Sequence, residues 1–197
     1  MIGAILAGGR SQRMGTNKAL VPLTPQPRAD PMAGVVAGVL TRAGLEPVIL
    51  VGGDPEVGTQ LGLEVVPDRW PGEGPLGGLA SAVAWGASSA GVEIVVVAAC
   101  DQPAVTPATI KGLVAALRAA AAHEAALGAA VVSEGGEVNP FPSAWLSSAG
   151  PALVALVDSG RRRAFDALTL KTIAVERPGA ELTDLDTPED LERYRDS

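Results

Sequence analysis

A three-layer α/β fold built on a mostly parallel sheet is what this sequence predicts, and three observations predict it. Short apolar runs suited to strands alternate with stretches at helical spacing, joined by short connections rich in Gly and Pro. The run Glu93-Ile94-Val95-Val96-Val97-Ala98 is apolar and β-branched without alternation, as in a parallel strand covered on both faces. The chain also opens on an apolar run, Ile2 to Leu6, that passes directly into a loop carrying Gly8, Gly9 and Gly15. No internal repeat, heptad pattern or low-complexity linker interrupts this alternation, so one domain over residues 1–197 is expected.

Taken in order, residues 2–6 are the first strand. Four prolines (Pro22, Pro25, Pro27, Pro31) make residues 21–31 an irregular segment. Residues 32–43 read as a helix of small residues with Val35, Val36, Val39 and Leu40 on one stripe. Residues 47–51 are a buried strand ended by Gly52-Gly53-Asp54, and residues 63–66 a short third strand. A turn-rich loop over 67–75 leads to a helix over 76–90, and residues 93–98 are the clearest strand. The next helix has Thr106 as N-cap, Pro107 at its first position, and Ile110, Leu113, Val114 and Leu117 at helical spacing. Its alanine-rich end, 119–126, is closed by Gly128. A strand over 129–132 turns at Gly135-Gly136. Residues 145–157 read as helical in part, 164–170 as a short helix and 172–175 as a strand. A last helix starts at Thr187-Pro188-Glu189-Asp190, capped and with acids in its first turn.

Composition narrows the classes. A chain of 197 residues that is 47% apolar and 19% charged can bury a core, and with 3% aromatics that core is mainly Ala, Val and Leu. The net charge of −7 argues against a nucleic-acid partner. A single cysteine, Cys100, excludes an internal disulfide. No apolar stretch reaches the roughly 18 residues of a membrane span, and residues 2–6 are too short for a signal-peptide core. A cytoplasmic protein without a membrane partner is the expectation.

The first loop carries the chemistry. Glycines let successive backbone N–H groups face one way, which suits phosphate oxygens. Arg10, Arg13 and Lys18 add positive charge in an otherwise acidic chain. Its spacing matches neither G-x-x-x-x-G-K-[ST] nor G-x-G-x-x-G. Three further segments fall at expected strand ends, where ligands of open α/β sheets gather. Residues 66–79 combine Asp68 with a Gly/Pro loop running into a helix. In Ala99-Cys100-Asp101-Gln102-Pro103 an acid follows a buried strand and needs a charged partner, for which a divalent cation is one candidate and capping of the next helix another. Asp184-Leu185-Asp186-Thr187-Pro188-Glu189-Asp190-Leu191 is explained in part by helix capping alone. Cys100 reads as a buried filler, because no base lies near it in sequence.

Residues 6–20 resemble the LAGG-x-S-x-R-M-G-x-x-K-A-L opening of the nucleotidyltransferases that guanylylate molybdopterin, with Asn17 where that family usually carries Asp. Residues 66–79 resemble its PD-x-x-x-G-x-GPLxG-[IL] segment, 99–103 its A-C-D-x-P segment, and 184–191 its N-x-N-T-P-E-D-L segment, with Asp184 and Asp186 in place of asparagines. The resemblance implies a Rossmann-like fold of the nucleotide-diphospho-sugar transferase type, and transfer of GMP from GTP to the phosphate of molybdopterin or molybdenum cofactor with release of pyrophosphate. It implies Arg13 and Lys18 on the pyrophosphate, the Gly8 and Gly9 amides beneath it, and Leu6 and Ala7 against the base. Asp68 and Gly77 would serve guanosine recognition, Asp101 would hold Mg²⁺, and Asp184 and Asp186 would meet the acceptor. The Gly160-Arg161-Arg162-Arg163 run matches the family's G-x-R pattern and would face the acceptor phosphate, or be a solvated basic patch. D-x-D-T-P-E-D also occurs in cytidylyltransferases acting on the same pterin, so cytidylyl transfer, or another phosphorylated acceptor, stays open. A GTP-binding adaptor that delivers the cofactor is the non-catalytic alternative, and molybdoenzyme-delivery proteins are candidate partners.

Overall fold

The computed structural model describes residues 1–8, 17–24, 26, 29–124 and 126–196. Seven strands form one sheet in the order β3-β2-β1-β4-β6-β5-β7. They are β1 Ile2–Leu6, β2 Val48–Val51, β3 Glu64–Val66, β4 Ile94–Ala99, β5 Ala129–Glu134, β6 Glu137–Leu146 and β7 Thr172–Glu176. The helices are α1 Met32–Arg42, α2 Pro55–Leu61, α3 Pro75–Ser88, α4 Pro107–Ala121, α5 Gly150–Asp158 and α6 Pro188–Arg195. β1 pairs parallel with β2 and β4, β2 with β3, and β5 with β7, while β6 runs antiparallel between β4 and β5.

The pleat of β4 explains its unbroken apolar run. Ile94, Val96 and Ala98 join one core with Leu40 of α1 and Ile110, Leu113 and Leu117 of α4. Val95 and Val97 join the other, with Leu79 and Val83 of α3 and Leu153 of α5. Each face therefore removes its own side chains from water, at about 25 cal/mol per Å² of apolar surface. Approach is close: a Cβ on Gly86 of α3 would meet Val95 Cγ2, and one on Gly58 of α2 would meet Val65 Cγ2. A third, smaller cluster of Leu23, Met32, Leu185 and Leu191 fixes α6 against the proline-rich segment. Arg195 clasps the same segment by donating to the carbonyls of Leu23 and Pro22, both at 2.9 Å.

Two elements depart from the sequence expectation. α2 lies where only a strand-ending loop is expected, although its signals are in the chain: Asp54 accepts from the Glu56 amide at 2.9 Å, Pro55 opens the helix, and Gly62 closes it at φ +67°. β6 corrects the helical reading of residues from 145 onward. Trp145 is a strand residue, fully buried, whose Nε1–H donates to Ser143 Oγ at 2.8 Å. The helix starts only at Gly150. Pro140 and Pro142 hide this strand from sequence reading, since proline cannot donate to a ladder. The sheet accommodates them at a bulge: β5 pairs Val131 with Ser143 and then Val132 with Asn139, so residues 140–142 fall between paired positions.

Candidate active site

The parallel strands β1, β2, β3 and β4 end on one edge of the sheet, and backbone bonds knit those ends together. Ala7 N–H donates to Val51 O (3.1 Å), Gly52 N–H to Val66 O (2.9 Å) and Cys100 N–H to Leu6 O (3.2 Å). Over this edge opens a cavity of ≈ 1040 Å³. Leu6, Ala7 and Gly8 line it after β1, Asp68 after β3, and Asp101 after β4. Asp184 and Asp186 form another wall, because the Leu185 amide donates to the Asp101 carbonyl at 2.9 Å and holds that segment against the end of β4.

Lys18 belongs to a 3₁₀ turn, Lys18–Leu20, capped by Asn17, whose side-chain oxygen accepts the Ala19 amide at 3.2 Å. Asparagine here still provides the carbonyl that such a cap requires. Lys18 Nζ donates to Asp101 Oδ2 at 2.7 Å and to Asp186 Oδ1 at 2.6 Å. The lysine side chain is 11% exposed, the two carboxylates 22% and 55%. Burial alone would lower the ammonium pKa, but the hydrogen bonds and charges of Asp101 and Asp186 outweigh it and hold it above 10.5. Asp184 is pushed the other way from an ordinary carboxylate. Loss of water around its carboxyl, with the charge of Asp101 beside it, raises its pKa, and a hydrogen bond from Gln102 Nε2 at 2.9 Å only partly offsets this. Among the described residues one ammonium thus faces three carboxylates, and this corner of the cavity carries an excess of negative charge.

Asp68 uses one oxygen structurally. Its Oδ1 accepts from the Trp70 amide (3.0 Å) and the Ser81 hydroxyl (2.9 Å), and Oδ2 has no hydrogen bond among the described residues. Gly77 does not line the cavity: it packs behind the loop, where a Cβ would sit 3.2 Å from Trp70 Cβ, and its neighbour Gly78 lines the cavity instead. Gly9 and Arg13 lie outside the described residues. Cys100 is buried, and burial pushes its thiol up to about 12, the behaviour of a filler and not of a nucleophile.

Sequence reasoning missed several lining residues. Gln102 is 2% exposed and donates to both Asp184 and Phe141 O (3.3 Å), while its Oε1 has no partner among the described residues. Asn139 and Phe141 reach the cavity from β6, and Phe165 from the 3₁₀ turn Ala164–Thr169. Phe165 had a signal, a large apolar residue one position beyond the run Arg161-Arg162-Arg163 and Ala164. Gln102 had none. Arg162 and Arg163 line the cavity too.

A mostly parallel sheet whose strand ends gather a lysine and several carboxylates around one cavity defines a Rossmann-like α/β protein built to handle a nucleotide. Residues 3–173 match the MobA-like NTP transferase domain, and the chain belongs to that family of nucleotidyltransferases. A molybdenum cofactor guanylyltransferase from Rhodobacter capsulatus is 33% identical over 200 residues, covering 98% of this chain and 94% of its own length. A probable molybdenum cofactor guanylyltransferase from Pelotomaculum thermopropionicum is 47% identical over 105 residues, but that match spans 53% of this chain and about half (47%) of the relative. Among solved structures, molybdopterin-guanine dinucleotide biosynthesis protein A from Archaeoglobus fulgidus superposes with a TM-score of 0.74 over 100% of this chain and 97% of its own; at 20% identity it attests the fold. No helix among the described residues is long and apolar enough to cross a membrane.

Proposed function

We infer that this protein is a guanylyltransferase that moves GMP from GTP to the terminal phosphate of molybdopterin or molybdenum cofactor and releases pyrophosphate. The full-length similarity to the Rhodobacter capsulatus guanylyltransferase supports the activity. The observation that carries it onto this chain is the meeting of Lys18 with Asp101 at 2.7 Å inside the cavity at the strand ends. Residues 1–197 act as one nucleotidyltransferase domain in the cytoplasm.

The acceptor phosphate oxygen attacks the α-phosphorus of GTP, and the bond to the β-phosphate breaks. A phosphate oxygen is already nucleophilic at neutral pH, so the protein has to position charges and neutralise them. Leu6, Ala7 and Gly8 bring backbone to the nucleotide, and Asp68 Oδ2 can accept from the N1–H and N2–H₂ edge of guanine. Lys18, released from its carboxylates, stabilises the charge that builds on the pyrophosphate, together with Arg13.

The donor set suits a divalent cation. Three carboxylates face one ammonium, and hard oxygen ligands favour Mg²⁺. Among the described residues no group of three His, Cys, Asp or Glu side chains is placed to hold a metal by itself, which fits a cation bound by one or two carboxylates plus substrate phosphates. Asp101 would hold it, and when bound it supplies Lewis-acid stabilisation of phosphate charge.

Purified protein with Mg²⁺ and molybdopterin, offered GTP, CTP or UTP in turn, tests the reading through pyrophosphate release. Release with GTP at least tenfold above that with CTP is expected; a preference for CTP makes the protein a cytidylyltransferase, and GTP binding without release makes it an adaptor.

A further inference from the structure

Phe165 stands out among the aromatics of this chain. The sequence holds only two Phe, one Tyr and three Trp. Among the described residues two large hydrophobic side chains are exposed, Val138 at 38% and Phe165 at 50%, and of these Phe165 lines the cavity. Its exposure does not come from a loose segment. Asp166 Oδ2 accepts the amides of Arg162 (3.3 Å) and Arg163 (3.0 Å), and the Leu76 amide donates to Arg162 O at 3.2 Å. A Cβ on Gly74 would lie 2.6 Å from that same carbonyl, so glycine is required for the turn to seat on the start of α3. Ala164 and Ala167, on either side, are buried at 5% and 0%. The turn is anchored and holds one large apolar ring towards the cavity.

The preceding arginines differ in their freedom. Arg162 is engaged by Glu73 and by the carbonyls of Val157 and Arg161, both at 2.7 Å, and Arg161 lies 3.8 Å from Asp166. Arg163, which lines the cavity, has no ion-pair partner among the described residues. Position along the sheet then separates the two substrates. Leu6, Ala7 and Gly8 at the end of β1 and Asp68 after β3 stand to one side of Asp101 in the strand order; Asn139 and Phe141 of β6 stand to the other, and the Phe165 turn, seated on the start of α3, packs on β6 as well. A nucleotide whose phosphates lie on the first turn leaves the β6 side for the acceptor. The facing wall there is acidic, from Asp184 and Asp186, and would repel an anionic acceptor. Attraction must come from an apolar face and from an unpaired cation.

We propose that Phe165 is the platform on which the planar pyrimidine ring of the acceptor's fused ring system stacks, with Arg163 beside it for the acceptor's negative charge, and that Phe165 thereby sets acceptor specificity. The proposal rests on the guanylyltransferase reading above for the identity of the ring, a pterin. Stacking of a heterocycle on an aromatic side chain changes affinity by about five- to a hundredfold.

Two measurements test it. Pterin-6-carboxylate, titrated into the nucleotide-free protein and followed by its own emission, binds the parent saturably, Phe165→Ala at least tenfold more weakly, and Phe165→Trp about as well as the parent. In turnover, Phe165→Ala raises the KM for molybdopterin at least tenfold and leaves the KM for GTP within about twofold; Phe165→Trp restores the former. Pterin binding that is absent in the parent, or equal within twofold in parent and Phe165→Ala, overturns the platform, as does an equal loss of GTP affinity. If the parent releases no pyrophosphate from GTP and molybdopterin while pterin binding still depends on Phe165, the guanylyltransferase reading falls and the platform stands.

Discussion

The backbone amide of Leu185 donates to the carbonyl of Asp101 at 2.9 Å, and through that bond two segments 84 residues apart share one wall of the cavity. Leu185 itself is 1% exposed, packed with Leu23, Met32 and Leu191. The apolar anchor fixes the backbone, and the flanking acids Asp184 and Asp186 are thereby turned towards Lys18 and Gln102. Packing at one residue sets the electrostatics of its two neighbours.

Lys18→Ala separates catalysis from charge balance. Turnover should fall by about a hundredfold or more, because a cation aimed at transition-state charge is lost. The same change frees Asp101 and Asp186 from their shared ammonium, so Mg²⁺ added without nucleotide should raise the Tm of the variant more than that of the parent. Pyrophosphate release and a thermal melt with and without Mg²⁺ read the two effects. An unchanged rate removes Lys18 from the mechanism.

Cys100 gives a pH signature. Its thiol is held near 12 in the fold against 9.0 unfolded, by burial first and then by the charge of Asp101. The unfolded chain therefore releases this proton first, and the stability due to the protonated thiol is complete below pH 9.0 and is lost as pH rises towards about 12. Urea midpoints of parent and Cys100→Ala in the presence of a chelator should diverge between pH 8 and 10.5, the parent losing about 1–2 kcal/mol more. Parallel slopes would mean the thiol is not shielded. Consistently, a thiol reagent at pH 8 should react slowly with the native protein and quickly after unfolding.

Close packing of α3 on β4 is tested at Gly86, where an added Cβ would meet Val95 Cγ2. Gly86→Val should destabilise by about 1–3 kcal/mol through overpacking, despite valine being apolar. The control is Gly91, which has nothing within 4 Å but a φ of +75°, so Gly91→Asn should cost little, since Asn tolerates that backbone region. Chemical denaturation of both variants distinguishes steric from backbone causes.

Much of this architecture is legible in the chain because local and global signals agree. The unbroken β-branched run of β4, Thr106 and Pro107 at the start of α4, and the capping box of Thr187 and Asp190 all appear in the structure at the expected positions. β6 is not legible, because its prolines contradict strand formation unless the bulge opposite Val131 and Val132 is known. α2 was open to reading through Asp54-Pro55-Glu56, but a strand-ending Gly-Gly-Asp reads equally well as a turn. At the site, three of the four dense motifs follow strand ends, those of β1, β3 and β4; the fourth, 184–191, does not, since it follows the 3₁₀ turn Gly179–Leu182 and is only held against the end of β4 through Leu185. What they leave out is pairing: Lys18 and Asp186 are 168 residues apart, and only the apolar seat of Leu185 brings them to 2.6 Å. Gln102 and Phe165 escape for the same reason, since their contacts come from β6 and from the turn clamped on α3.

Asp184 and Asp186 stand where the N-x-N-T-P-E-D-L motif that this segment resembles has asparagine, and the structure gives that difference a measurable consequence. Both carboxylates line the cavity, and the pKa of Asp184 is raised by its burial first and then by the charge of Asp101 beside it, which Lys18 offsets only in part. A phosphorylated acceptor entering beside them meets repulsion that a bound cation relieves, worth roughly 1–4 kcal/mol for unit charges about 4 Å apart near a protein surface. The double change Asp184→Asn with Asp186→Asn removes two charges while keeping side-chain size and one accepting oxygen on each residue, the other becoming an NH₂ donor. It should lower the KM for molybdopterin several-fold at limiting Mg²⁺ and have little effect at saturating Mg²⁺, with the KM for GTP nearly unchanged. Steady-state pyrophosphate release across a Mg²⁺ titration measures it. If the variant instead needs more Mg²⁺ than the parent, these carboxylates are holding the cation, and their place in the site is beside Asp101 and not opposite the acceptor.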